Sequence, residues 1–253
     1  MKLLEFDQWA RSTLEFSEID SIDSALNGVQ VGSFDADISK MIFAVDACEA
    51  SFLRARDEGA EVLFVHHGIY WGFVYPLTGV RGERVRYLMN NGIALYACHL
   101  PLDRHPVLGN NAQMAQILGL EEVEGFGDYK GRMIGCRGLL SVGEELESIV
   151  ARLFGLWDNS IRALRFGPKE IHTVGIISGG AVYEVSQAID AGLDLYITGD
   201  ASHNIYHECR EAGINVLFAG HYLTEVFGVR AMAQRVHQEL GLETKFIDIP
   251  TGL

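Results

Sequence analysis

The stretch 61–71, EVLFVHHGIYW, starts with a short apolar run and passes directly into two adjacent histidines. Residues 62–65 are β-branched, aromatic or leucine, which predicts a strand buried on both faces. Open α/β sheets place their ligand sites at the carboxyl ends of such strands. We therefore expect His66 and His67 to lie in a functional site.

Predicted strands and helices alternate on both sides of this stretch. In the first half the predicted strands include 40–46, 62–65 and 93–98, and in the second half they include 133–142, 172–177, 193–197, 214–218 and 244–249. Alternation of this kind is typical of mostly parallel sheets with right-handed crossovers and helices packed on the sheet. The sequence therefore predicts an α/β fold.

Two passages of the chain follow the same plan. Residues 43–68 and 174–200 both run from a strand through a turn and a helix to a glycine, then to a second strand with a polar tip. We predict two α/β repeats, 1–125 and 126–253, with the acidic, glycine-rich residues 121–131 as a linker. In a variant of this division, the C-terminal segment is exchanged between the halves.

The composition is that of a globular chain without a membrane span. Of 253 residues, 48% are hydrophobic and 21% are charged, and the apolar runs are shorter than the ~18 residues that a spanning helix needs. The net charge of −14 disfavours nucleic acid as a partner, because an acidic surface repels phosphate backbones. The four cysteines lack CxxC spacing, which favours buried thiols in a cytoplasmic protein over disulfides.

Side chains that bind metals follow the predicted strands in both halves. They are His66, His67, His99 and Asp103 in the first half, and Asp200, His221 and Glu225 in the second. Imidazoles and carboxylates suit Zn, Mn, Fe, Co or Ni. Even without Asp200 there are more candidates than a structural zinc needs, and they suit a pair of ions roughly 3.5–4 Å apart, as in metal-assisted hydrolysis. Glu225 is the predicted bridging ligand, because its two oxygens can reach two ions.

The spacing His-x-x-x-acid occurs in both halves. His221 and Glu225 are four residues apart at the start of a long predicted helix, so both can point the same way. His99 and Asp103 have the same spacing, but Pro101 lies between them and predicts an ordered loop instead of a helical turn. Asp103 should still reach the site, whereas His99 could be a ligand or a neighbouring acid or base.

Each candidate also has a simpler interpretation. A histidine at a strand end is often only a hydrogen-bonded polar residue, and Asp200 could cap the helix that follows it. Tyr70, Trp71 and Phe73 favour packing or an interface, although a nucleobase could stack on them. The chain has no GxxxxGKS, GxGxxG or GxSxG motif, which argues against nucleotide-cofactor enzymes and serine hydrolases.

Short motifs along the whole chain carry a resemblance to a known family. They are NGVQVG at 27–32, VHHGIYW at 65–71, HLPLD at 99–103, LGNN at 108–111, ISGGA at 177–181, ITGD at 197–200, GHYLTE at 220–225 and FIDIP at 246–250. In this order and spacing the sequence resembles the GTP cyclohydrolase 1 type 2 family, the YbgI-like dinuclear metal proteins.

The resemblance implies two intertwined α/β repeats, each a mostly parallel or mixed sheet flanked by helices, in a toroidal homohexamer built as a trimer of dimers. It also implies two divalent metal ions per subunit. The family's ligand positions fall on His66, His67, Asp103, His221 and Glu225, and His99 matches a histidine beside the metals. The family commonly has Thr-Gly-Glu where this chain has Thr198-Gly199-Asp200, so the shorter carboxylate of Asp200 keeps the charge but has less reach.

These observations predict a dinuclear metal-dependent hydrolase. The expected substrate is a purine nucleotide or related heterocycle, by resemblance, and the expected nucleophile is a metal-bridged water. His99 is the predicted proton shuttle, and Asp200 is a second candidate for a catalytic role. The alternative is a non-catalytic metal-binding scaffold or adaptor hexamer. A mononuclear iron oxygenase with two histidines and a carboxylate is a further possibility, which two metals per chain would contradict.

Overall fold

The computed structural model describes residues 1–157 and 159–253. The chain divides into a first unit, Met1–His105 with Val229–Ile249, and a second unit, Pro106–Gly228 with Pro250–Leu253. The predicted division was 1–125 and 126–253, with exchange of the C-terminal segment between the halves as a variant. In the structure residues 106–125 belong with the second unit and residues 229–249 with the first.

The elements up to His105 contain a stretch in which strands and helices alternate as predicted. They are α1 Leu3–Thr13, β1 Gly28–Val31, β2 Lys40–Asp46, α2 Glu49–Asp57, β3 Val62–His67, α3 Gly79–Asn90, β4 Ala94–Ala97 and α4 Leu100–Arg104. The bounds of β2 are those predicted, because its apolar run KMIFAVD is buried almost throughout. Gly59, with φ of +69°, follows α2 in the left-handed conformation that ends a helix.

The remaining elements follow Pro106. They are α5 Asn110–Ile117, β5 Glu121–Tyr129, β6 Arg132–Glu144, α6 Leu146–Phe154, β7 Arg162–Arg165, β8 Ile171–Ile176, α7 Val185–Asp190, β9 Leu195–Thr198, α8 Tyr206–Ala212, β10 Asn215–Phe218, α9 His221–Leu240 and β11 Glu243–Phe246. Short 3-10 turns at Val182–Glu184 and His203–Ile205 precede α7 and α8. The strand β11 returns to the first unit.

The sheet of the first unit has the strand order β1-β4-β3-β2-β11. The strands β4, β3, β2 and β11 are parallel, and β1 is antiparallel to β4. Its core packs apolar side chains of the central strands, such as Ile42, Leu63 and Leu95, against Phe52 and Leu88 of the helices. The register pairs Asp46 with His67, so the polar tips of β2 and β3 lie side by side.

The sheet of the second unit has the order β5-β6-β8-β9-β10-β7. Only the pairs β8·β9 and β9·β10 are parallel among its described pairings. Val174, Ile197 and Leu217 of these strands share a core with Ile149 and Val150 of α6. This mixed arrangement agrees with the predicted α/β class.

Two local predictions were wrong. Residues 121–129, predicted as part of a linker, form β5 and pair with β6, because backbone hydrogen bonds hold an edge strand even where its side chains are polar. Residues 100–104, predicted as a loop, form the short helix α4. Pro101 lies in the first turn of this helix, where its missing N–H removes no helical hydrogen bond.

None of the helices found in residues 1–157 and 159–253 has the length and apolar character needed to cross a lipid bilayer.

Candidate metal centre

The polar tip of β3 brings three histidines of the first unit together. Ring nitrogens of His66, His67 and His99 all lie within 4.8 Å of one another. The apolar run at 62–65 places the backbone of β3 in the core, so His66 follows it into a fully buried position. His99 comes from the neighbouring strand, just before α4. The predicted convergence of these two strand ends is therefore present within this unit.

His66 is held in one tautomer by the backbone. Its Nδ1 lies 2.9 Å from the carbonyl oxygen of Cys98, and because a carbonyl only accepts, Nδ1 must carry the proton. The Nε2 then offers a lone pair, and it lies 3.3 Å from Oδ2 of Asp103. Two electron-rich atoms facing each other in a buried site suit a cation between them.

Carboxylates hold the other two rings in the same way. Nδ1 of His67 donates to Oδ1 of Asp46 at 2.9 Å, and Nδ1 of His99 donates to Oδ1 of Asp23 at 2.9 Å. Metal-binding histidines usually donate their second ring N–H to a carboxylate or a carbonyl, which fixes the ring and directs the other nitrogen at the ion. The first unit therefore has the supporting hydrogen bonds of a metal site.

Sequence reasoning did not identify Asp23 and Asp46. The position of Asp46 at the end of a strand parallel to β3 was a usable indication. Asp23 lies in an irregular segment, and its role depends on tertiary contacts. Burial opposes its ionisation, but hydrogen bonds from His99, Asn27 and the Ala25 amide outweigh burial and lower the pKa of this carboxyl.

In the second unit, His221 lies between two carboxylates. Its Nδ1 donates to Oδ1 of Asp200 at 3.0 Å, and its Nε2 lies 3.3 Å from Oε1 of Glu225. His221 and Glu225 are one turn apart on α9, as the i,i+4 spacing predicted. Burial lowers the pKa of His221, but Glu225 and Asp200 outweigh it and raise the pKa to about 9. The site thus favours a positive charge at Nε2.

A glycine makes room beside this pair. Gly179 has φ of +65°, and a Cβ there would overlap Oε1 of Glu225 and lie 3.2 Å from Nε2 of His221. Its N–H donates to Oγ1 of Thr224 at 3.0 Å, and its carbonyl accepts from the amides of Gly199 and Asp200. The Ser178-Gly179-Gly180 turn therefore shapes the space in front of the two ligand candidates.

The aromatic residues after β3 form one wall of the first unit's histidine cluster. The ring of Trp71 meets His99 edge-on at 5.0 Å between centroids and lies 5.7 Å from His67. Its Nε1 donates to the Gly68 carbonyl at 3.0 Å. Phe73, in contrast, is largely exposed. The predicted packing role thus fits Trp71.

The donor atoms of each unit therefore fit divalent metal ions. Each predicted imidazole has its Nδ1 bonded to an acceptor of its own unit, and the carboxylates of Asp103 and Glu225 each face an Nε2. Asp103, the acid of the predicted His-x-x-x-acid pair in the first half, lies against His66. His105, which lies just after α4, has its Nε2 3.0 Å from the Thr13 carbonyl oxygen.

The family model described as Duf34/NIF3 (NGG1p interacting factor 3) matches residues 1–252. The chain belongs to this family. A relative from Treponema pallidum, named GTP cyclohydrolase 1 type 2 homolog, is 40% identical over the full length of both chains. The resemblance predicted from the short motifs is therefore confirmed.

Two solved structures share the fold of this chain. TTHA1606 from Thermus thermophilus is 34% identical over all of both chains, with a TM-score of 0.89. The protein ybgI, described as of unknown function, is also 34% identical over both whole chains, with a TM-score of 0.90. These likenesses confirm the α/β architecture with its two repeats.

Proposed function

We propose that this Duf34/NIF3 chain is a dinuclear metal-dependent hydrolase that acts on a purine nucleotide or related heterocycle. One observation carries the proposal: the three histidines proposed as ligands, His66, His67 and His221, all have Nδ1 bonded to an acceptor, so that Nε2 is left for an ion. Metal ligation requires the rings to share this orientation, whereas ordinary polar packing does not require it. The names of the relatives support the substrate class.

The residue roles follow from the donor chemistry. Two divalent ions per chain are proposed, and the residues that would hold them are His66, His67, Asp103, His221 and Glu225. Such ions lower the pKa of a coordinated water and polarise the scissile centre. His99, fixed by Asp23, would exchange a proton with the substrate through Nε2. Asp200 would orient His221 through Nδ1 and support its basicity.

We further propose a homohexamer, a trimer of dimers, in a cytoplasmic setting. The family resemblance supports the assembly, and free thiols at Cys48, Cys98, Cys136 and Cys209 support a reducing compartment. Light scattering on the purified protein should then give six times the chain mass of 28.0 kDa. A monomeric mass would contradict this assembly.

Elemental analysis and a hydrolase screen on the purified protein test the function. We expect two divalent ions per chain and hydrolysis of a purine nucleotide, both lost in His66→Ala and in Glu225→Ala. His172→Ala is the matched control, because that ring is exposed and its Nε2 lies 3.6 Å from a carboxylate oxygen of Glu170. Unchanged metal and activity in the first two variants would contradict the proposal. Metal without turnover on nucleotides, amides or phosphoesters would favour the scaffold alternative.

A further inference from the structure

A cavity of about 440 Å³ lies beside the histidine cluster, wholly within the first unit. Its size is in the range of small-molecule sites, which run from roughly 300 to 1,000 Å³. It lies between the segment that follows β3 and the first turns of α3. The lining residues are Gly68, Ile69, Tyr70, Trp71, Phe73, Tyr75, Leu77, Arg81, Arg84 and Val85.

Aromatic rings provide flat walls for this cavity. Tyr70 and Tyr75 are stacked, with centroids 5.8 Å apart and planes 16° from parallel. The hydroxyl of Tyr75 donates to the Ile69 carbonyl, which fixes the ring. Trp71 lines the cavity and also meets the edge of His99. A ligand held here would therefore lie next to the proposed proton-transfer residue.

The charge of the cavity is opposite to that of the chain. The net charge is −14, yet Arg81 and Arg84 line the cavity, and none of its described lining residues is acidic. The guanidinium of Arg81 lies over the Tyr75 ring at 4.0 Å. Within the described residues neither Arg81 nor Arg84 forms an ion pair, whereas Arg86 on the same helix is paired with Glu83. Two guanidinium groups beside aromatic walls suit a ligand with a ring and an anionic group.

We propose that this cavity is the substrate-recognition pocket, in which Trp71 and the tyrosines contact a planar heterocycle while Arg81 and Arg84 bind its phosphate. The ligand class is an aromatic phosphate, either a mononucleotide or a simpler aryl phosphate. This inference rests on the proposed function in that it takes the ligand to be the substrate of the neighbouring histidine site.

Calorimetric titration of the purified protein tests the pocket with four probes: guanosine 5′-monophosphate, phenyl phosphate, ribose 5-phosphate and guanosine. The nucleotide should bind at least about tenfold more tightly than ribose 5-phosphate or guanosine, because each of these lacks one recognised group. The double variant Arg81→Gln/Arg84→Gln should weaken nucleotide binding by at least about tenfold. Trp71→Leu should weaken it as well, and Arg86→Gln should leave it unchanged.

The outcomes separate this inference from the hydrolase proposal. Equal affinity of the wild type and the double arginine variant, or no binding of any probe, would overturn the pocket even if nucleotide hydrolysis were found. Binding with the expected arginine dependence but without hydrolysis would support the pocket and count against the hydrolase. Binding of phenyl phosphate as tight as that of the nucleotide would assign the pocket to aryl phosphates in general. Weaker binding of phenyl phosphate would assign it to nucleotides.

Discussion

A histidine ring can hold a metal ion only through a nitrogen that carries no proton, and the hydrogen bond at the other nitrogen decides which one that is. In this chain the deciding acceptors are a backbone carbonyl for His66 and carboxylates for His67, His99 and His221. The histidines themselves could be predicted from their positions after apolar strands. Their acceptors could not all be predicted, since Asp23 is brought to His99 by a fold that places residues 76 positions apart in contact.

Asp46→Asn tests the role of these Nδ1 acceptors without removing a predicted metal ligand. The amide keeps the shape of the side chain but presents a weaker acceptor to Nδ1 of His67, so metal affinity should fall about 10–100-fold. A competition titration with a chelator measures the change. Asp35→Asn, an exposed change in the same unit, is the control. Equal affinities for both variants would show that the Asp46 hydrogen bond does not tune the site.

Gly179→Ala tests the close approach in the second unit. The new methyl would overlap Oε1 of Glu225, so the Glu225 side chain must move and the metal content should fall. Gly192→Ala is the matched control, because Gly192 has the same φ of +65° and a methyl added there would meet nothing within 4 Å among the described residues. Both variants should lose about 1–2 kcal/mol of stability from the left-handed backbone, and only Gly179→Ala should also lose metal in elemental analysis.

Secondary-structure elements were predictable where burial imposes a pattern. The apolar runs of β2, β3 and β10 identified these strands, and the i,i+4 pair of His221 and Glu225 lies on α9 as expected. The strand β5 was missed because most of its side chains are exposed and polar, so its sequence resembles a linker. The short β7 was missed for the same reason, since its ends are exposed arginines. Edge strands are held by backbone hydrogen bonds, which cannot be predicted from the pattern of side chains.

A carboxylate joins the starts of two neighbouring strands of the first sheet. Glu61, just before β3, accepts hydrogen bonds from the amides of Lys40 and Ser39 at 2.8 and 3.2 Å and from the Ser39 hydroxyl at 3.0 Å. Burial opposes ionisation, but these donors outweigh it and lower the pKa of Glu61 below its ordinary value of 4.5. A lowered pKa stabilises the fold above pH 4.5, and this contribution is lost as the pH falls through the folded-state value.

Glu61→Gln should therefore destabilise the protein at pH 7 by about 1 kcal/mol. The difference from the wild type should shrink as the pH falls below the folded-state pKa of Glu61, where the wild-type carboxyl is neutral as well. Urea unfolding at pH 7 and at pH 3 measures this pH dependence. Glu122→Gln, an exposed change outside this sheet, provides the control. A difference that stayed constant with pH would contradict the role of the ionised carboxylate.

For the whole molecule, the first unit is completed by residues far along the chain. After α9, β11 pairs in parallel with β2, where the amide of Glu243 donates to the Ser39 carbonyl at 2.8 Å and that of Ile247 donates to the Phe43 carbonyl at 2.8 Å. Ile247 is buried in the core of that unit. The stability of the first unit should therefore depend on its distant last strand.

Glu243→Pro and Glu243→Ala together test this dependence. Both remove the side-chain ion pair with Lys40, but only proline also removes the backbone donor to Ser39. The proline variant should be less stable than the alanine variant by about 1–3 kcal/mol, because a backbone acceptor loses its partner. Urea unfolding compares the two, and hydrogen exchange should show faster exchange of the β2 amides in the proline variant. Equal stability of the two variants would show that the backbone hydrogen bond from β11 to Ser39 does not stabilise the first unit.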